Sequence, residues 1–454
     1  MRFALTAVLA VTLLAPTAAV AQSTRQVPVD SLIYDLRSPD PVRRREAVVL
    51  IGQNKLQRAV PDVVAIAGDP DPSVRRAVVA TLQSLDDIRA LPGLVTLTGD
   101  PEKDIRESAV TGVTRLYLPR ESGIGPSLTK VVNFFNPNSD EWADVVIEPD
   151  LNVDPTVVPA LQARLQDPSD AIRIKAARSI GILRGRTAVA MLVLAMKEDR
   201  NPTVRFEAIR ALGKIGDPSA AKDVLPFTLS TEAKLRTQAA LTVGKLHDRA
   251  ALSELTRLFM KEAALQKRQA DAPFRAALME AIALIADPSS KELFSRQRAH
   301  DDANVRVNAY AGLARVGDAS LTTPVSQERL SETDAKVQTA QAFALYRFGR
   351  KEYLEEVVKA LGSRTTATRA REYLLELRQD EVADLAALTR LEDAGLRESI
   401  AEILGLIGDD RARPALQELA RDSRGQVAPL ANQAIERIAA RGGAASSAPP
   451  PPPQ

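Results

Sequence analysis

A short motif restarts along the chain at a nearly constant interval. The stretch DPSVRR at Asp71–Arg76 returns in altered form as DPVRRR, NPTVRF, DAPFRA and DDANVR. When the recurring Arg is taken as an anchor, most successive anchors are 31 or 32 residues apart. A fixed period of this size is typical of a solenoid in which each period is one helix–turn–helix unit. The anchors are Arg44, Arg75, Arg106, Arg173, Arg205, Arg236, Arg275, Arg306, Gln338, Arg369, Arg397 and a degenerate last one at Ala431.

Each anchor opens a helix with one apolar face. After Arg205, for example, Ala208 and Leu212 follow at spacings that place them on one side of a helix. Gly or Ala recurs eight positions after the anchor, and because Gly inside a helix costs about 1 kcal/mol relative to Ala, we expect a neighbouring helix to approach closely there. A further Gly follows three positions later, where a helix C-cap needs a positive φ; this Gly occurs at Gly216, Gly317, Gly349 and Gly408.

A second apolar helix precedes each anchor. Examples are AVPDVVAIA from Ala59 and ARPALQELA from Ala412, and Asp217 with Pro218 supplies an N-cap and a first-turn Pro for such a helix. Aromatic residues make up only 4% of the chain, which suits close packing of helices through Ala, Leu and Val. Two helices per period cannot bury their apolar faces alone, so neighbouring hairpins must stack into one core. We therefore predict an all-α fold, an alpha-alpha superhelix of about twelve helical hairpins.

This pattern resembles HEAT repeats, in particular the short HEAT-like units of the phycobilisome-lyase type. The resemblance covers roughly residues 30–440, as repeats over 30–118 and again over 156–441. It implies that the turn Asp and the anchor Arg link adjacent units in a hydrogen-bonded ladder. The implied ladder residues are Asp40, Arg44, Asp71, Arg75, Arg173, Arg205 and Arg306. Unit ten departs from the pattern, since Glu372 and Glu376 stand where core residues should be.

An insertion interrupts the repeats between Arg106 and Arg173. Residues 119–155 are in excess of one unit and carry Phe134, Phe135 and Trp142, the only Trp of the chain. Insertions in repeat proteins often lie on the binding face, and Trp is enriched at interface hot spots. Two interpretations stay open: these aromatic residues fill a local gap in the solenoid, or they dock a protein partner.

Basic side chains recur nine positions after several anchors and would align in a row. They are Arg115, Lys214, Lys245, Arg315 and Arg347. Arg178 and Arg210, five positions after their anchors, would extend this row into a basic patch on the concave face. Partner binding by Arg178, Arg210 and Lys214 is one interpretation. The other is structural, since cations in the last turn of a helix are stabilised by the helix dipole by about 0.3–1 kcal/mol.

The two ends of the sequence have their own composition. Residues 1–21 carry Arg2, an apolar run and Ala19-Val20-Ala21, which predicts a cleaved signal peptide, a mature chain from about Gln22 and a periplasmic or secreted protein. Residues 22–29 form a short lead, and residues 442–454, rich in Gly, Ala, Ser and Pro, predict a disordered tail. No other run is long and apolar enough to span a membrane.

Groups that would indicate catalysis are missing from the sequence. It has no Cys, and its two histidines, His247 and His300, lack metal-ligand spacing. We therefore predict no enzyme activity, no cofactor, no metal and no small-molecule substrate. The favoured hypothesis is an exported scaffold that binds a protein partner or an envelope complex through its concave face and the 119–155 insertion. Alternatives are a lyase-like or chaperone-like protein that handles a chromophore or a client. Nucleic-acid binding is disfavoured by the net charge of +2.

Overall fold

The computed structural model describes residues 28–118, 145–147, 151–265 and 271–447. Within these ranges all regular structure is helical, and 24 α-helices follow one another. They are α1 (Val29–Asp35), α2 (Pro41–Gln53), α3 (Val60–Ala65), α4 (Pro72–Leu85), α5 (Leu91–Leu97), α6 (Lys103–Arg115), α7 (Val157–Ala163), α8 (Asp170–Ile182), α9 (Val189–Glu198), α10 (Pro202–Ile215), α11 (Ala221–Val224), α12 (Ala233–Lys245), α13 (Leu252–Ala263), α14 (Ala272–Ile285), α15 (Lys291–Gln297), α16 (Ala303–Val316), α17 (Thr322–Arg329), α18 (Ala335–Arg347), α19 (Tyr353–Lys359), α20 (Ala367–Leu375), α21 (Val382–Ala386), α22 (Ala394–Ile407), α23 (Arg413–Leu419) and α24 (Val427–Ser447).

The helices pair in chain order into twelve hairpins among the described residues. Each odd-numbered helix is the first of its hairpin and each even-numbered helix, which carries or adjoins the anchor, is the second. The chain divides after Ala90 into two compact units. In the first unit α2 packs against α4; in the second, successive second helices pack against each other, as α8 with α10 and α12 with α14. The predicted all-α fold of stacked helical hairpins is confirmed.

Capping residues set where the second helices begin. The side-chain oxygen of Asp71 accepts a hydrogen bond from the backbone N–H of Ser73 at 2.7 Å, and Asn201 does the same for Thr203 at 2.8 Å. Pro72 and Pro202 follow these caps at the first helical position, where a missing N–H costs nothing. Asp40 is the equivalent N-cap of α2.

The ends of most second helices follow one rule, from which Tyr117, Asp380 and Gly408 depart. Eleven positions after the anchor the backbone is left-handed, as predicted at Gly216, Gly317 and Gly349. The same conformation occurs without Gly at Lys55, Asp86, Arg184, His247 and Ala286. The prediction is wrong for Gly408, whose φ of −75° is in the extended region.

The second helices touch through their small residues. A Cβ added at Gly244 of α12 would lie 2.5 Å from the Cα of Ala281 on α14, and one at Gly181 would lie 2.7 Å from the Cα of Ala211. Only Gly fits these positions, so the close approach expected from the sequence is confirmed. Leu212 lies buried beside this contact with 1% of its surface exposed.

The end of the last helix differs from the sequence prediction. α24 runs from Val427 to Ser447, so residues 442–447 are helical although the whole segment 442–454 was predicted to be disordered. The Arg441 guanidinium ties α24 to the end of α22 by donating hydrogen bonds to the carbonyl oxygens of Leu406, Gly405 and Gly408. The residues from Ala444 to Ser447 continue a helix at little cost, whereas Gly442 and Gly443 each cost about 1 kcal/mol relative to Ala. Residues 448–454 lie outside the described residues.

Candidate functional site

The anchor arginines hold the turns of neighbouring hairpins together. Arg173 donates through Nε and Nη2 to the carboxylate of Asp199 at 2.6 and 3.0 Å, and through Nη1 to the carbonyl oxygen of Asp167 at 2.8 Å. One guanidinium thus clamps its own turn and bridges to the next unit. The same two-part arrangement is formed by Arg44, Arg106, Arg306 and Arg397, and Arg75 makes the clamp to its own turn through the carbonyl oxygens of Asp69 and Pro70.

The carboxylate of this ladder is not the turn Asp that the resemblance implies. Arg44 pairs with Asp69 at 2.7 Å, whereas Asp40 and Asp71 act as N-caps. The acid that receives the arginine stands six positions before the next anchor and also accepts the backbone N–H of the N-cap residue, as Asp69 does from Asp71. Sequence reasoning missed this position, although its acidic residues recur in register: Asp69, Asp100, Asp167, Asp199 and Glu332. Asp422 has the same role for Arg397 but stands nine positions before the degenerate anchor Ala431.

Three successive joints depart from the regular ladder. Ser230, Gln269 and His300 occupy the position where the acid would stand. At these joints the arginine pairs with a carboxylate two residues later in the sequence: Arg205 pairs with Glu232, Arg236 with Asp271 and Arg275 with Asp302. The Nε atoms of Arg205 and Arg275 are buried without a hydrogen-bond partner. We call Arg205, Arg236 and Arg275 the loose joints.

A groove lies beside the loose joints on the second helices α10, α12, α14 and α16. Two cavities of about 610 and 380 Å³ adjoin there, because both are lined by Thr237, Leu241 and Pro273. We call their combined surface the second-helix groove. Its apolar part includes Phe206, half-buried on α10.

Helix α20 closes one side of this groove. Arg369 of α20 pairs with Glu280 of α14 at 3.2 Å, and Glu372, one turn along α20, pairs with Arg369 at 3.0 Å. The Arg369–Glu280 pair joins residues 89 positions apart, so it bypasses the intervening hairpins. Glu372, one of the two carboxylates that made unit ten depart from the sequence pattern, therefore pairs with the arginine that crosses the groove and is not part of a core.

A second set of contacts fixes α20 over α16 and α18. The ring of Tyr373 stacks on Phe343 of α18 with 4.4 Å between the centroids. Glu376 accepts two hydrogen bonds from Arg315 of α16, at 2.7 and 2.8 Å. Tyr373 is fully buried, and burial raises the pKa of its phenol well above the usual value. Helix α20 thus covers the face of α18 that carries Phe343, whereas the corresponding face of α12, which carries Leu241, stays open to the groove.

Two of the predicted basic binding residues are buried. Arg178 and Arg210 are 4% and 9% exposed, and both pair with the buried carboxylate of Glu207, Arg178 at 2.6 Å. The prediction that they extend a basic surface patch is wrong, because both side chains are buried against Glu207, which lies one unit after Arg178 and on the same helix as Arg210. Lys214 is half-buried beside Gly181 of α8.

The predicted basic row is broken for the same reason. Arg315 and Arg347 are paired with Glu376 and Glu381. Lys245 is exposed at the edge of the groove, and Arg115 is exposed at the end of α6. The row is therefore not a continuous cationic surface.

Most of the insertion lies outside the described residues, including Phe134, Phe135 and Trp142. Its described C-terminal part contacts the solenoid. The backbone N–H of Ile147 donates to the carbonyl oxygen of Ile182 at 2.9 Å, and the hydroxyl of Tyr117 accepts from the N–H of Asp154 at 3.0 Å. Ile147 is 5% exposed. The choice between gap filling and partner docking for the three aromatic residues stays open.

The histidines are occupied by structural contacts. Nδ1 of His300 accepts from the backbone N–H of Asp302 at 2.9 Å, and burial, assisted by Arg275, lowers its pKa. Nδ1 of His247 lies 2.7 Å from the carbonyl oxygen of Leu284. Within the described ranges no group of three or more His, Asp or Glu residues could hold a metal ion. None of the helices described combines the length and hydropathy that a bilayer crossing requires.

Comparison with known proteins adds a family assignment for parts of the chain. The family model described as HEAT repeats matches residues 29–113 and 190–270, and the model described as the PBS lyase HEAT-like repeat matches residues 396–422. The search of the curated proteins found no match.

Solved structures that resemble the chain do so weakly. A chain of the Kap95:Nup1 complex has 12% identity and a TM-score of 0.43 over 91% of this chain and 57% of that one. The CpcE–CpcF complex of phycocyanin lyase from Nostoc sp. PCC7120 has 16% identity and a TM-score of 0.25 over 74% of this chain and 98% of that one. Human deoxyhypusine hydroxylase in complex with glycerol has 19% identity and a TM-score of 0.27 over 57% of this chain and 99% of that one.

Proposed function

Since this chain is a HEAT-repeat protein, we propose that it is an exported scaffold that binds a protein partner through the second-helix groove. The observation that carries the proposal is the groove itself. It is built by four successive second helices and is left open along α12, whereas the corresponding face of α18 is covered by α20. An interaction surface made by stacked repeats suits an extended partner, because each hairpin adds a similar strip of surface.

The lining of the groove supports binding rather than catalysis. It combines half-buried apolar side chains such as Phe206 and Leu241 with the carboxamide of Gln238 and the hydroxyl of Thr237. Apolar contacts supply affinity, and amides and hydroxyls hydrogen-bond a polypeptide backbone. Both histidines lie outside the lining residues.

Site-specific photo-crosslinking tests the proposal directly. A photoreactive amino acid at Gln238 in the groove should give one or a few discrete protein adducts in envelope extracts of the source cells. The matched control is the same amino acid at Lys261, which is exposed on α13, the first helix of the next hairpin. Identical adducts from both positions, or none from Gln238, would overturn the proposal.

The insertion is proposed as a second docking element. If Phe134, Phe135 and Trp142 contact the partner, replacing all three by Ser should abolish capture of the crosslinked partner while far-UV circular dichroism keeps its helical amplitude. A loss of helicity in the triple variant would instead support gap filling. Affinity purification that compares the intact chain with one lacking residues 119–155 supplies an independent readout.

Export is proposed from the N-terminal sequence alone. Residues 1–21 have the charge, the apolar run and the small residues of a signal peptide. Mass spectrometry of the mature protein should find Gln22 at its N-terminus in the periplasmic or secreted fraction. A mature protein that keeps Arg2 and stays with the cytosolic fraction would overturn this part of the proposal.

A further inference from the structure

We propose that the segment bound in the second-helix groove is an acidic stretch of polypeptide in an extended conformation. The inference rests on the proposed function and adds the chemistry of the partner. It follows from how the charges of the groove are paired.

Five carboxylates line the groove, and five arginines pair with them, so that their charges balance as a set. Glu232 and Asp271 are paired by the loose joints Arg205 and Arg236. Glu207 pairs with both Arg178 and Arg210, and Glu280 and Glu372 share Arg369. The departure of the loose joints from the regular ladder therefore removes negative charge from the groove.

The lysines that line the groove have no such partners. Lys234 and Lys245 lie at the two ends of α12 and Lys336 at the start of α18, all three exposed. Within the described part of the chain none of them forms an ion pair. With its carboxylates neutralised and its lysines unpaired, the groove presents a net positive charge to a ligand.

The spacing of the lysines fits an extended segment. Lys234 and Lys245 are eleven residues apart on one helix, which is about 16 Å at 1.5 Å per residue. Lys234 and Lys336 are three interhelix steps apart, from α12 over α14 and α16 to α18, or about 24–30 Å at the usual interhelix distance of 8–10 Å. An extended chain covers that distance with about seven to nine residues. Several carboxylates of one short segment can therefore reach all three lysines.

The groove fits a polypeptide better than a nucleic acid. Three unpaired lysines supply few phosphate contacts, and non-specific nucleic-acid binding depends on many. Leu241 and Pro273 line both cavities, and Phe206 lines the cavity that Lys234 also lines. These side chains offer apolar contact to a peptide that alternates acidic with apolar residues. Charge at the rim and apolar contact between the charges is the usual composition of a protein interface.

Fluorescence anisotropy with a synthetic peptide tests the inference. The probe is a fluorescein-labelled ten-residue peptide that alternates Glu with Leu or Ala, and its control carries Gln in place of Glu. We expect the Glu peptide to bind the full-length mature protein, to bind more weakly as salt is raised, and to bind more tightly than the Gln peptide. Equal affinity for the two peptides, or no binding of the Glu peptide, would overturn the inference.

Charge-reversal variants locate the binding. The double variant Lys234→Glu/Lys245→Glu should weaken binding of the Glu peptide by about tenfold or more, since two attractions become repulsions. The matched control is Lys222→Glu/Lys261→Glu, which makes the same charge change at exposed lysines of the first helices α11 and α13. Lys336→Glu alone should give a smaller loss in the same direction. Circular dichroism confirms that each variant keeps its helicity.

Two further outcomes count against the inference. Equal weakening by both double variants would mean that only global charge matters, and displacement of the peptide by single-stranded DNA as effectively as by unlabelled Glu peptide would assign the groove to polyanions in general. The proposed function is tested separately by crosslinking at Gln238. Discrete adducts there without a preference for the Glu peptide would refute the acidic partner and leave the scaffold function standing.

Discussion

The regular ladder joints and the loose joints hold the same kind of hairpin by different means. At Arg106 and Arg173 the guanidinium is about one-tenth exposed or less and donates to a carboxylate and to a carbonyl oxygen of its own turn. At Arg205 it is 26% exposed and makes one hydrogen bond, to Glu232. The helices around the loose joints are therefore held mainly by apolar contacts between neighbouring second helices, which we call the apolar seam. Arg205 and Arg236 instead neutralise carboxylates that line the groove.

The largest expected effect is the loss of a regular joint. Arg173→Ala leaves the buried carboxylate of Asp199 without its partner, and removing one member of a buried pair costs about 3–5 kcal/mol. Arg205→Ala removes a pair whose acid, Glu232, is 43% exposed, so it should cost about 1 kcal/mol or less. Urea unfolding followed by circular dichroism measures both, and hydrogen exchange across α8 and α10 shows where the structure opens.

A similar loss of stability in Arg173→Ala and Arg205→Ala would contradict the distinction between regular and loose joints. It would mean that Arg205 holds its joint as firmly as Arg173 does. Arg173→Lys serves as a control, because Lys keeps the charge but cannot make the paired hydrogen bonds to Asp199; it should recover only part of the loss.

The apolar seam should be equally important beside the loose joints. Leu212 of α10 is 1% exposed, and Leu212→Ala should lower the free energy of unfolding by about 2–5 kcal/mol by leaving a cavity. The same unfolding experiment measures it. A loss below about 1 kcal/mol would show that the helices near the groove are not held by this seam.

The sequence predicted the elements of the repeat because those depend on local chemistry. The Asp71 and Asn201 caps, the Gly216 C-cap and the contact at Gly244 are each set by a few adjacent residues and a fixed spacing. The burial of Arg178 could not be predicted, since it depends on Glu207 of the next unit meeting it across the helix–helix contact. Arg210 pairs with the same carboxylate from its own helix.

Contacts between distant hairpins could not be predicted from the sequence either. The pair Arg369–Glu280 joins residues 89 positions apart, and no periodicity within one unit predicts it. The ladder acid is a different case. Asp69 and Asp199 share a register position that recurs in the sequence, and the replacement of that acid by Ser230 and His300 is a sequence signal that marks the loose joints.

Restoring the ladder acid should convert a loose joint into a regular one. Ser230→Asp places a carboxylate six positions before the Arg236 anchor, where Arg205 can reach it. We expect a gain of about 1 kcal/mol in the free energy of unfolding. Because Arg205 would leave Glu232, the groove would regain a negative charge, and the Glu peptide should bind more weakly by about twofold to fivefold.

Two measurements on one variant therefore make the link between joint and groove testable. Unfolding in urea gives the stability, and anisotropy gives the affinity. Ser219→Asp, at an exposed position in the turn before α11, is the control for added charge. Its effects on the free energy of unfolding and on the peptide affinity should both be smaller than those of Ser230→Asp. A more stable Ser230→Asp variant with unchanged peptide affinity would contradict the role assigned to Arg205 in neutralising Glu232.

The smallest expected effect is a pH dependence at the joint of Arg275. The pKa of His300 is lowered first by burial and then by the Arg275 guanidinium, with Asp302 and Asp301 acting in the opposite direction. The folded protein therefore binds fewer protons at this site than the unfolded chain, whose His pKa is about 6.5. The resulting stability is present above that value and is lost as the pH falls through the lower folded pKa.

The His300 contribution should be less than about 1 kcal/mol, given the opposing carboxylates. It is measured as the difference in urea midpoint between pH 7.5 and pH 5.5. His300→Asp should remove this difference and raise stability at pH 5.5, because a carboxylate stays ionised there and gives Arg275 the partner that regular joints have. His247→Gln, which leaves His300 in place, should keep the pH dependence. An unchanged slope in His300→Asp would show that acid weakens the fold elsewhere, and the joint at Arg275 would then be loose for a reason other than its missing carboxylate.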